Sequence, residues 1–169
     1  RGHASMSGSI LQPPTRPDAD FGVLFIEVSG LLPMCGHGTI GVVRTLEHLG
    51  RIQVGQVRLD TPVGTVSAEL AEDGSVTIRN VPSYCHAKDV AVDVPGLGRV
   101  VGDVAYGGNW FFLTHLEGMD VTLGNVDALT RVTLAIMEAL RRQGITGAAG
   151  AEIDHVELAA PPVRPAADR

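Results

Sequence analysis

The stretch whose reading decides how this chain is built is Pro33-Met34-Cys35-Gly36-His37-Gly38-Thr39-Ile40-Gly41, PMCGHGTIG. Its last six residues fit the glycine pattern G-x-G-x-x-G of a dinucleotide-binding turn. Its first residues put a cysteine and a histidine where a helix is due to begin. Downstream, Ile40, Val42, Val43, Leu46 and Leu49 recur at helical spacing and Gly50 is suited to end the element, so a helix is expected from Gly36 to His48. Upstream, residues 21–28, FGVLFIEV, form an apolar run too short for most helices and rich in strand formers. That predicts a buried strand, with a loop through Ser29 to Pro33.

The dinucleotide reading gains some support from Asp60, which lies 19 residues after Gly41 at the end of a predicted strand, near the spacing of a ribose-binding acid. Its approach is wrong. In that fold the first glycine sits at the strand tip, whereas seven residues, Pro33 among them, separate Val28 from Gly36. Segments 56–60, 63–70 and 75–81, punctuated by Pro62, Asp73-Gly74 and Pro82, read as a meander of hairpin strands rather than a parallel crossover.

A cysteine at the start of a helix explains more residues. The macrodipole and the unpaired amides of the first turn favour a thiolate there, which makes Cys35 a candidate base or nucleophile. Gly36 and Gly38 have no side chains to screen those amides, so a substrate carboxylate can come close, and His37 can add a hydrogen bond. The alternative stays open: Cys35 can be a small buried apolar residue and His37 a satisfied polar neighbour.

Further along, residues 83–98 are mixed, with Pro95, Gly96 and Gly98 crowding the end, and they suggest a boundary between two lobes, 1–93 and 94–169. A strand is expected over Val100 to Ala105 and another in the aromatic run Trp110 to Leu113. Leu129, Val132, Ile136, Met137 and Leu140 mark a helix from Val126 to Gln143, with Asp127 in its first turn, Arg141 and Arg142 in its last and Gly144 beyond. A final strand is expected over 152–159. The order strands, helix, strands, then strand, helix, strand hints at two similar lobes.

Composition narrows the functions. With 169 residues, 44% hydrophobic, 19% charged and 4% aromatic, the chain reads as globular, and its net charge of -6 gives no field for a phosphate backbone and no stacking platform for bases. No apolar run approaches the roughly 20 residues of a membrane span. No nucleic acid and no membrane are therefore expected as partners, and a cytoplasmic location is expected. Two cysteines make a poor disulfide framework, which favours a chemical role for at least one thiol.

The octapeptide from Met34 to Gly41 resembles the first catalytic motif of the proline racemase family, which includes proline racemases, 4-hydroxyproline 2-epimerases and trans-3-hydroxyproline dehydratases. Arg1-Gly2-His3, Asp18-Ala19-Asp20-Phe21-Gly22, the run from Gly102 to Phe112 and Glu152-Ile153-Asp154-His155 also resemble family blocks in the expected order. The glycine and threonine after His37, with Gly107-Gly108-Asn109-Trp110-Phe111-Phe112, are most similar to the 4-hydroxyproline 2-epimerase branch.

The resemblance implies an α+β fold like that of diaminopimelate epimerase: two similar lobes, each a sheet wrapped around a central helix, with the active site in the cleft. It implies inversion of the α-carbon of a cyclic imino acid by two cysteines on opposite faces, with neither metal nor pyridoxal phosphate as cofactor. Cys35 matches the first base, Gly36 and His37 the carboxylate holders, and Asp103 and His155 substrate-contacting or supporting positions. Read without the resemblance, Asp103 can equally be a strand-edge acid and His155 an exposed strand residue. The family's second cysteine lies in a glycine-rich motif downstream of His155 that this chain does not reach; Cys85 has no such surroundings and reads as structural or incidental. The second lobe is thus expected to be incomplete, exposing apolar surface, with self-association, such as a homodimer, or poor stability as the outcome. A dehydratase of the same family and a non-catalytic binder of small carboxylates are the competing functions.

Overall fold

The computed structural model describes residues 6–28 and 30–161; the Arg1-Gly2-His3 block, Ser29 and residues 162–169 lie outside them. The chain divides into two compact units between Pro82 and Ser83.

The first unit is a six-stranded sheet with one helix. Its strands are β1 (Ser7–Gln12), β2 (Phe21–Glu27), β3 (Gly30–Leu32), β4 (Gly55–Thr61), β5 (Gly64–Leu70) and β6 (Val76–Arg79), and its helix is α1 (Gly36–His48). The order is β1-β2-β4-β5-β6, with β3 also pairing β2. Strand β2 is shared along its length. Its start runs parallel to β4, Phe21 opposite Leu59 and Gly22 opposite Asp60, while its end pairs antiparallel with β3, Phe25 opposite Leu32. The loop expected through Ser29 to Pro33 therefore contains a short strand, and the segment after α1 begins with a parallel crossover before its hairpins. Alternation along β2 buries Val23 and Phe25 completely and leaves Ile26 exposed, so this strand is covered on one face rather than two.

Helix α1 covers that face through Thr39, Val42, Val43 and Leu46, the i, i+3, i+4, i+7 stripe of an amphipathic helix. Ile40 and Leu49, expected on the apolar stripe, are exposed, and Thr39 takes the buried position instead. These residues join Val57, Leu59, Val66, Ala68 and Leu70 in one core.

The second unit repeats the plan with β7 (Tyr84–Val94), β8 (Gly98–Tyr106), β9 (Trp110–Thr114), α2 (Val126–Arg142) and β10 (His155–Leu158). The order is β10-β9-β8-β7. Strands β7, β8 and β9 form an antiparallel meander, and α2 carries the chain across to β10, which runs parallel to β9. In both units a helix thus links two parallel strands of a largely antiparallel sheet, which is the α+β class expected and the source of the similarity between the halves. The core gathers Val92, Val94, Val100, Val104 and Phe112 from the sheet with Val132, Ile136, Ala139 and Leu140 from α2.

The boundary expected after residue 93 falls earlier because residues 83–98 are no linker. They form the long strand β7 and its turn into β8; Pro95, Gly96 and Gly98 shape that hairpin, with Val94 opposite Gly98. The described residues contain no helix long and apolar enough to cross a membrane.

Candidate active site

The hairpin between β2 and β3 explains how the chain reaches the motif. Leu32 and Met34 are buried on either side of Pro33 and anchor the approach, so the backbone arrives at Cys35 extended, at φ -140° and ψ 112°, and turns into α1. Cys35 is the N-cap. Its sulfur accepts the Gly38 N–H at 3.3 Å, the hydrogen bond an N-cap serine or aspartate oxygen ordinarily accepts. The side chain is half-buried.

Two amides of the first turn remain unused: the N–H groups of Gly36 and His37 meet no acceptor among the described residues. A Cβ placed on Gly36 would meet nothing within 4 Å, so the approach to these amides is open. Gly38 has a packing reason to be glycine beside the one expected. A Cβ there would lie 2.8 Å from the Phe25 ring, so its bare backbone lets α1 settle on β2. His37 is exposed, with no side-chain partner among the described residues.

Beside this helix start lies a pocket of about 350 Å³ between β1 and α1. Register accounts for it. Ser7 and Ser9 pair with Glu27 and Phe25, which turns them to the helix-facing side of the sheet, where small hydroxyls leave space that apolar residues would fill. Leu11 closes one end; His37, Gly38 and Gly41 form the opposite wall.

Asp60, the acid that favoured a dinucleotide, is 7% exposed and fully engaged. Its carboxylate accepts the Thr15 hydroxyl and N–H, each at 2.7 Å, the Arg16 N–H at 3.1 Å and the Arg16 guanidinium. The Thr15 hydroxyl foremost, with the amide and guanidinium donors, outweighs burial and holds the Asp60 carboxyl down at about 2. Asp60 pins the loop after β1, its carboxylate taken up by four donors of Thr15 and Arg16.

The remaining expected residues lie in the second unit. Asp103 accepts the Asp89 N–H at 2.9 Å, where Asp89 sits at φ 53° beside an irregularity in the β7 pairing. Its carboxylate latches a bulge. His155 opens β10 opposite Phe111, its ring stacked on the phenyl at 5.0 Å and 25°, and its Nδ1 is buried with no partner among the described residues. Asp103 pairs with Leu113 and Leu113 with Glu157, so Asp103 and His155 share the face opposite the core residues Val104 and Phe112. Cys35, Gly36 and His37 are thus together in the first unit, while Asp103 and His155 lie two strands apart on one sheet face of the second. Cys85, a free and exposed thiol on β7, lies opposite Ala105 with its sulfur 3.6 Å from the Ala87 carbonyl oxygen.

Residues 1–169 match the family described as proline racemase. The chain belongs to that family. A 4-hydroxyproline 2-epimerase of Burkholderia ambifaria is 59% identical over 158 residues, covering 94% of this chain and 51% of that protein. This chain spans about half the length of the curated relatives it matches. A crystal structure of a probable proline racemase from Agrobacterium radiobacter, with bound carbonate, superposes with a TM-score of 0.85 at 24% identity, over 93% of this chain and 50% of that one. That of a hydroxyproline epimerase from Agrobacterium vitis, with bound trans-4-hydroxy-L-proline, gives 0.81 at 24% identity, over 90% and 48%. The proline racemase family fold, like that of diaminopimelate epimerase, is the one this chain adopts.

Proposed function

We propose that this chain is the first-cysteine half of a cofactor-independent epimerase that inverts the α-carbon of a cyclic imino acid, with 4-hydroxyproline the substrate. The observation that carries the reading is the Cys35 sulfur at the N-cap of α1, hydrogen-bonded to one first-turn amide and next to two that meet no acceptor among the described residues. An α-proton is weakly acidic, and its removal sends charge onto the carboxylate. Donors fixed before the reaction stabilise that charge without reorganising. In this reading the Gly36 and His37 amides and the His37 ring hold the carboxylate, and the Cys35 thiolate takes the proton from one face of the carbon. The two-base step needs a second thiol that delivers a proton to the other face, so one proton is lost and one gained. Asp103 serves the sheet through its bulge latch. His155 keeps a buried Nδ1 with no partner among the described residues, and Asp103 keeps a second carboxylate oxygen, so both retain hydrogen-bonding capacity for a ligand.

Two things support a hydroxylated ring. Relatives at this identity are named 4-hydroxyproline 2-epimerases, and the pocket lined by Gly38, the residue that donates to Cys35, carries the Ser7 and Ser9 hydroxyls on its wall. The test is solvent-deuterium incorporation at the α-carbon of 4-hydroxyproline by the full-length protein, with Cys35→Ser as control. Exchange in the parent and its loss in C35S are expected. Saturable binding without exchange would instead make the protein a carboxylate binder, and undiminished turnover in C35S would remove Cys35 from the chemistry.

A further inference from the structure

Helix α1 turns four residues toward the core, and three of them, Val42, Val43 and Leu46, are aliphatic. The fourth, Thr39, is 0% exposed, at a position where valine has the same shape and buries no hydroxyl. Its hydroxyl donates to the Cys35 carbonyl oxygen at 2.9 Å, and its own N–H donates to the same oxygen at 2.9 Å. Both lone-pair directions of that oxygen are therefore occupied by one residue.

The Cys35 carbonyl and the Gly36 N–H belong to the same planar, trans peptide unit and point in opposite directions. Fixing the oxygen toward the helix interior fixes the amide hydrogen outward, beyond the helix start, where the Gly36 N–H meets no acceptor among the described residues. The same peptide carries the Cys35 Cα, and so sets the direction from which the sulfur meets the Gly38 amide. Thr45, six residues further along, makes the same kind of bond to the Gly41 carbonyl from an exposed position, where solvent is an alternative partner. Thr39 has no such alternative.

We infer that Thr39 is a positioning residue: its buried hydroxyl locks the Cys35–Gly36 peptide so that the outward Gly36 amide and the Cys35 sulfur hold fixed directions toward a carboxylate ligand. The inference rests on the reading of Cys35 above and adds a residue that touches neither the ligand nor the reacting atoms.

The experiment measures, in the full-length protein, the Kd of pyrrole-2-carboxylate from its protection of Cys35 against alkylation, alongside thermal stability, for T39V, T39A and T39S. T39V keeps the shape and loses the hydroxyl; T39S keeps the hydroxyl and loses the methyl; T39A loses both. The analogue should bind about 3- to 10-fold more weakly to T39V and T39A, the loss of one hydrogen bond, and to T39S as to the parent although T39S loses stability. A residue that merely packs predicts the reverse order, with T39V like the parent and T39S like T39A, and that result overturns the inference. If T39V fails to fold, the comparison of T39A with T39S decides alone, since they differ in the hydroxyl. Protection in the parent with an unchanged Kd in T39A sinks the positioning role only; no protection in the parent sinks the site reading beneath it.

Discussion

Gly38→Ala and Gly41→Ala are the same chemical change three residues apart on one helix, and the structure assigns them opposite outcomes. Alanine is favoured over glycine within a helix by up to about 1 kcal/mol, and this gain is common to both. At Gly41 the added Cβ would meet nothing within 4 Å. At Gly38 it would sit 2.8 Å from Cδ1 and 2.9 Å from Cε1 of Phe25, a fully buried side chain, and 3.3 Å from the Cys35 Cβ. Carbon atoms pack at about 3.5 to 4.0 Å, so helix and strand would have to part by roughly 0.7 Å, and overpacking of this kind costs about 1–3 kcal/mol. Because the propensity gain cancels, the two variants should differ by that amount, with Gly41→Ala the more stable. In a chain of this size the difference corresponds to about 2–12 °C in Tm. Parallel thermal scans of the two variants measure it. Equal stability, or a more stable Gly38→Ala, would refute the claim that α1 and β2 meet through a bare backbone at this point.

Two other expectations rest on different features. Cys35, though less exposed than Cys85, should be alkylated faster at neutral pH, because its sulfur accepts an amide hydrogen bond at a helix start whereas the Cys85 thiol faces carbonyl oxygens; mass-spectrometric peptide mapping over time gives both rates, and equal rates would count against Cys35 as the reactive thiol. The Asp60 carboxyl, at about 2 in the fold against 3.8 ordinarily, binds fewer protons folded than unfolded, so its stabilisation is complete above about pH 5 and lost as pH falls through about 2. The full effect is about 2 kcal/mol. Urea midpoints across that range should fall less steeply for D60N than for the parent, and parallel curves would show that the network around Thr15 and Arg16 does not hold the charge.

Much of this arrangement is legible in the sequence, and the exceptions share a cause. The limits of α1 follow from local signals, an apolar stripe ending at a glycine, and the structure gives the expected Gly36 to His48. α2 ends within a residue of expectation for the same reason. What the sequence hides depends on partners distant along the chain. Ser7-Gly8-Ser9 has little strand propensity and becomes a strand by pairing with β2; Gly30-Leu31-Leu32 is too short to announce itself. β7 is masked by the prolines and glycines of its own turn, which mean a linker or a hairpin depending on whether β8 pairs back. In the site, Cys35 at the helix start can be read from its neighbours. The reason for Gly38 cannot, since it is a phenyl ring on β2. Thr39 is overshadowed by the more apolar Ile40, although the i, i+3, i+4, i+7 stripe through Val42, Val43 and Leu46 includes it.

The first turn of α1 ends on sulfur, a weaker hydrogen-bond acceptor than the oxygen of serine or aspartate. A chain carrying Cys35→Ser would fold around a better-made turn and be the poorer proton acceptor, so robustness and reactivity compete for a single atom. Selection for a durable protein alone would be expected to discard this cysteine. On the function proposed above, its presence marks the spot where the chain accepts local weakness in exchange for reactivity.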